Sequence, residues 1–71
     1  MSPEIVTVGS DRHVRELADC ADLLRGYLLR QGIPCGPVER PEGRYQSFRL
    51  GRTVNLGLVQ ALLDRWAAQG P

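Results

Sequence analysis

Four arginines, Arg40, Arg44, Arg49 and Arg52, fall within 13 residues, with Tyr45 and Phe48 interleaved. A guanidinium presents a planar fork of donors that matches phosphate or carboxylate, and an aromatic ring offers a surface on which a base or a sugar stacks. On an extended strand, alternation puts Tyr45 and Arg49 on one face, with Arg40 and Arg52 near its ends. Arg40, Arg44, Tyr45, Arg49 and Arg52 are therefore the candidate ligand-binding residues, with nucleic acid or a glycan as the ligand. Without a ligand, the same stretch reads as a solvated strand face whose arginines pair with Glu39 and Glu42.

The other reactive residues form no catalytic set. His13 has Asp11 and Glu16 near it, and Cys20 lies about two turns further along the helix expected there. A nucleophile and its base need hydrogen-bond contact, so that pair is stretched, and Cys35 approaches only by loop folding. His13 reads as a surface histidine. Asp19 and Asp22, three apart, suit ion pairing with Arg15 and Arg25 better than acid–base work. Phosphate loop, dinucleotide fingerprint, nucleophile elbow and zinc-ligand spacing are all missing from the sequence. The expectation is a protein that is not an enzyme and uses no cofactor or metal.

A chain of 71 residues makes one domain, residues 1–71. Its apolar fraction of 42% argues against disorder, yet a domain this small buries only about 60% of its unfolded surface. Docking on a partner or on a second copy would stiffen it. Nine basic residues, all arginine, oppose eight acidic ones for a net charge of +1, a balance that favours neither a polyanion nor a membrane surface. Two cysteines are too few for a disulfide scaffold. No apolar run reaches membrane-spanning length, and MSPEIVTVGS lacks the basic start and apolar stretch of a signal peptide. The expected location is the cytoplasm, with no membrane attachment.

Ile5-Val6-Thr7-Val8 reads as a strand buried on both faces, followed by Ser10 or Asp11 as a helix cap. Val14, Leu17, Ala21, Leu24 and Leu28 follow at steps of three and four, which predicts one helix of about 20 residues. Gly32 supplies a left-handed cap and Pro34 stops the helix restarting. A short edge strand is expected around Val38, then a turn at Pro41-Glu42-Gly43 and a half-buried strand from Arg44 to Leu50 with Phe48 and Leu50 inward. Asn55 caps a last helix striped by Leu56, Val59, Leu63 and Trp66, with Leu62 beside the stripe and its end at Gly70-Pro71. The predicted fold class is α+β, ordered β-α-β-β-α. Both helices lie on one face of an antiparallel-rich sheet, a ferredoxin-like half-sandwich without an evident final strand.

Gly26 interrupts the first helix at a cost of about 1 kcal/mol relative to alanine. It borders Cys20, Leu23 and Tyr27, which form a second apolar strip flanking the core stripe. Cys20, Leu23, Gly26 and Tyr27 are thus the candidate partner-binding residues. Another protein, or self-association, is the expected partner of a small adaptor, regulator or inhibitor.

The stretch Ala21-Asp22-Leu23-Leu24-Arg25-Gly26, then Leu28 and Gly32-Ile33-Pro34, resembles a small bacterial family of signal-transducing proteins built as a single strand-and-helix domain. That resemblance implies a ferredoxin-like fold and carries no assigned chemistry. Val6-Thr7-Val8-Gly9-Ser10 and Tyr45 to Gly51 are also similar to two strands of the sporulation-related repeat, which implies binding to peptidoglycan glycan strands. Asp11 stands where that repeat carries an aromatic.

Overall fold

Gly9 and Ser10 decide the topology. In the computed structural model, which describes residues 3–39 and 44–69, Gly9 adopts φ +62°. That left-handed conformation suits glycine, and it turns β1 (Glu4–Val8) back onto β2 (Asp11–Leu17) in antiparallel register. The single helix expected from Asp11 onwards is therefore corrected: its first seven residues are a strand, and α1 spans Ala18–Arg30. Neither Ser10 nor Asp11 caps it. Cross-strand pairing on both sides of β2 overrides a helical spacing that only Val14 and Leu17 supported there. Where β2 becomes α1, the Glu16 carboxylate accepts from the Leu17 N–H at 2.7 Å, and the Arg44 carbonyl accepts from the Ala18 N–H at 2.7 Å. These bonds satisfy two backbone donors that have no capping side chain at Leu17.

The other end of α1 matches the sequence expectation. Gly32 sits at φ +83°. The Gly32 N–H donates to Leu29 O and the Ile33 N–H to Leu28 O, both at 3.0 Å, the paired bonds of a glycine-terminated helix. The chain continues into β3 (Cys35–Glu39) and β4 (Tyr45–Leu50), an antiparallel pair with a register irregularity between Cys35 and Val38. Asn55 Oδ1 accepts from the Leu58 N–H at 3.1 Å and so caps α2 (Leu56–Gln69). The turn at Pro41-Glu42-Gly43 and the chain end at Gly70-Pro71 lie outside the described residues.

The four strands form one sheet in the order β1-β2-β4-β3, with every neighbour antiparallel. The observed order of elements is β-β-α-β-β-α, not β-α-β-β-α. The α+β class holds, and the ferredoxin-like comparison needs amending. β2, α1 and β3 form a split β-α-β unit with β4 between its strands, as in a ferredoxin-like sheet. The strand missing after α2 is supplied by β1 at the front of the chain. β1 is consequently an edge strand rather than one buried on both faces, and Val8 is 59% exposed.

Both helices contribute to one apolar core on the same face of the sheet. Val14 and Phe48 are direct cross-strand partners at its centre, and each is fully buried. Leu24 and Leu28 of α1 and Val59, Leu62 and Leu63 of α2 close over them. Tyr27 and Trp66 seal the seam between the helices, with ring centroids 5.5 Å apart. No helix among the described residues is long and apolar enough to cross a membrane.

Candidate binding face

Because paired residues on neighbouring strands share a face, the registers define the surface that the helices leave uncovered. One row crosses it as Val6, His13 and Arg49; the next as Glu4, Arg15, Ser47 and Glu39; the next as Leu17 and Tyr45. Val8 and Asp11 form the row by the β1–β2 turn. The middle of this face is concave, with a cavity of about 330 Å³. Val6 and Val8 line one side of it, Tyr45, Ser47 and Glu39 the other, and His13 and Arg15 lie between on β2.

His13 is the unexpected member. It belongs to a strand, not to a helix turn, and it is only 8% exposed rather than a surface residue. Its imidazole has no hydrogen-bond partner among the described residues. No buried side-chain nitrogen or oxygen among the described residues lacks a partner, so the His13 ring nitrogens are open to the cavity and available to a ligand there. The two arginines beside it are held loosely. Arg15 lies 3.5 Å from Glu4 and Arg49 lies 3.6 Å from Asp11, with the Arg15, Glu4 and Arg49 side chains about half exposed or more. Such pairs contribute at most about 1 kcal/mol each. The Arg15 guanidinium also stacks over the Tyr45 ring, 4.5 Å from its centroid.

The arginine set singled out by spacing is divided in space. Tyr45 and Arg49 share the uncovered face, as alternation predicted. Arg44 precedes β4 and lines a hollow with Leu17, Ala18 and Asp19. Arg52 lies beyond the opposite end of β4, in a hollow of about 230 Å³ with Ser10, Arg12 and Val54. Arg40 lies outside the described residues. On the uncovered face itself, two arginines, Arg15 and Arg49, stand among three carboxylates, Glu4, Asp11 and Glu39. That is no track for a polyanion.

The flank on α1 is also rearranged. Leu23 is 58% exposed, Cys20 is half-buried, and a Cβ at Gly26 would meet nothing within 4 Å. These three leave an open notch on the helix surface. Tyr27 turns away from it to pack on Trp66 and the core. Asp19 and Asp22 are exposed, and among the described residues neither pairs with Arg15 or Arg25. Arg15 goes to Glu4, while Arg25 Nε donates to the Gly36 carbonyl at 2.6 Å. Cys35 donates its S–H to Ile33 O at 3.4 Å. Burial pushes its thiol pKa up, against a smaller downward pull from Arg25, so the reactive thiolate is disfavoured. Among the described residues, no group of three or more His, Cys, Asp or Glu is placed to hold a metal ion.

Val6, His13, Arg15 and Ser47 were not among the residues that spacing picked out. The signal that would have found them is Gly9-Ser10, read as a hairpin turn between two strands instead of as a helix cap. Comparison with protein-family models, with curated proteins and with solved structures finds no match for this chain.

Proposed function

We propose that the protein is a non-enzymatic interaction module, a small adaptor, regulator or inhibitor, that docks another protein on the uncovered face of its sheet. The observation that carries this reading is the cavity on that face, where apolar Val6 and Val8 face Tyr45 across His13, whose ring has no hydrogen-bond partner among the described residues and is open to the cavity. Apolar area rimmed by polar groups is the usual character of a protein-binding patch, and an aromatic anchor beside an arginine is typical of its centre. The division of the arginines and the three carboxylates on the face weigh against nucleic acid as the ligand.

The test is affinity capture from a nuclease-treated bacterial lysate, run with the native protein and two charge-introducing variants. Val8→Glu places a charge on the uncovered face and is expected to release the captured protein. Leu23→Glu does the same on the α1 flank and is expected to keep it. The opposite pattern would move docking to the flank of Cys20, Leu23 and Gly26. Binding that returns only when nuclease is omitted, and that weakens steeply with salt, would favour the ligand-binding alternative with nucleic acid.

A further inference from the structure

We infer that the cavity on the uncovered face captures the carboxyl-terminal residue of a partner chain, with an aliphatic side chain. His13, Ser47 and Arg15 hold its carboxylate, and Val6 and Val8 receive its side chain. The inference rests on the docking reading above and goes on to name the group that is recognised.

Three donors line the cavity. The His13 ring has no hydrogen-bond partner among the described residues, so its nitrogens are open to that space. Arg15 is two residues along the same face of β2, and Ser47 is its cross-strand partner on β4. An imidazole N–H, a hydroxyl and a guanidinium at neighbouring positions of one face suit an anion, and bonds to an ionised acceptor are the stronger kind. The side chain of Glu4, which holds Arg15 at 3.5 Å, is 61% exposed, so an incoming carboxylate exchanges with it at little cost. Tyr45 under the guanidinium sets the plane in which Arg15 can offer its fork.

The rest of the wall narrows the choice of anion. Val6 and Val8 stand on the β1 side and call for an aliphatic group close to the charge. In an extended chain, successive side chains point to opposite faces. An internal Asp or Glu therefore brings its carboxylate without an adjacent apolar group on the same side. A terminal residue carries both on one Cα. Glu39 lies across Ser47 from Arg15, two strand spacings or roughly 10 Å away. That span holds one residue between the two side chains, with Glu39 placed to accept the terminal residue's own amide N–H. The same Glu39, with Glu4 and Asp11, repels a ligand carrying a row of phosphates.

His13 is the only histidine, so its ring resonances report on the cavity alone. The probe is the peptide acetyl-Ala-Ala-Val with a free carboxylate, titrated into the isotope-labelled full chain. The His13 signals are expected to move saturably, while the carboxamide form of the same peptide binds at least about tenfold more weakly. Arg15→Gln, at an exposed position, is expected to weaken the acid peptide about tenfold with the amide spectrum otherwise unchanged. Equal binding of acid and carboxamide, no saturable shift, or inorganic phosphate binding as well as the peptide would each overturn the inference. If Val8→Glu releases a captured protein and the acid peptide still fails to bind, docking on the face stands and only the terminal-carboxylate assignment falls. If Val8→Glu releases nothing, the docking reading falls, and the peptide titration alone decides whether the cavity takes a carboxylate.

Discussion

Val14 and His13 are neighbours on β2, and both are almost wholly buried, at 0% and 8% exposure. They lie on opposite faces of the same sheet. Val14 is enclosed by Phe48 and by the side chains of two helices. His13 is enclosed only by the sheet's own side chains, in a row with Val6 and Arg49. Burial on the covered face removes apolar surface from water and stabilises the fold. On the uncovered face the His13 ring gains no hydrogen bond from the described residues and its nitrogens stay open to the cavity, so it adds little to folding. One face therefore reads as the source of stability, and the other as a surface that contributes little to it.

The strongest challenge to that contrast is Phe48→Ala. Phe48 is fully buried opposite Val14, so truncation is expected to cost about 3–5 kcal/mol. A domain of this size has little to spare, and a large part of the population would unfold. A urea titration followed by circular dichroism measures the loss. A loss under about 1 kcal/mol would mean that the covered face is not the main source of stability.

Gly51→Ala comes next. Its new Cβ would stand 2.8 Å from Pro34 Cγ and 3.3 Å from Pro34 Cβ. The Gly51 N–H also donates to Pro34 O at 3.0 Å, so the two segments cannot simply separate. The expected cost is about 1–3 kcal/mol, read as a lower urea midpoint at unchanged slope. Gly26→Ala is its counterpart. There the new methyl meets nothing within 4 Å and the helix gains a better former, so a gain of about 0.5–1 kcal/mol is expected. The glycine is thus a tolerated defect as far as stability is concerned. A loss at Gly26 in the same titration would mean that something packs into the notch, such as a second copy of the chain.

Local sequence signals agree with the tertiary structure in one part of the chain and conflict with it in another. From Gly32 onward, local punctuation agrees with tertiary structure: Gly32 ends α1, Asn55 caps α2, and alternation along β4 puts Phe48 and Leu50 inward. Before α1, local and tertiary signals conflict. Val14 and Leu17 continue the spacing of α1, yet residues 11–17 pair with strands on either side. One of those strands, β4, lies about 30 residues away in sequence, beyond the reach of any windowed pattern. The candidate site inherits the same division. Tyr45 and Arg49 were visible through β4's own alternation, whereas His13 and Arg15 join them only once residues 11–17 are a strand.

The smallest expected effect on stability is also the most discriminating. His13→Val puts a β-branched residue into a central strand beside Val6 and removes a polar ring that has no hydrogen-bond partner among the described residues. A ring whose nitrogens stay open to the cavity gains no fixed hydrogen bond from folding, so replacing it with an apolar side chain is expected to change stability by between zero and a gain of about 1 kcal/mol. The same substitution should weaken partner capture, because the ring is part of the docking surface. Stability and binding would then move in opposite directions at one residue. At Phe48 they can only fall together, since an unfolded chain presents no face. A loss of more than about 1 kcal/mol in His13→Val would show that the imidazole is satisfied in solution, and the asymmetry between the two faces would then disappear.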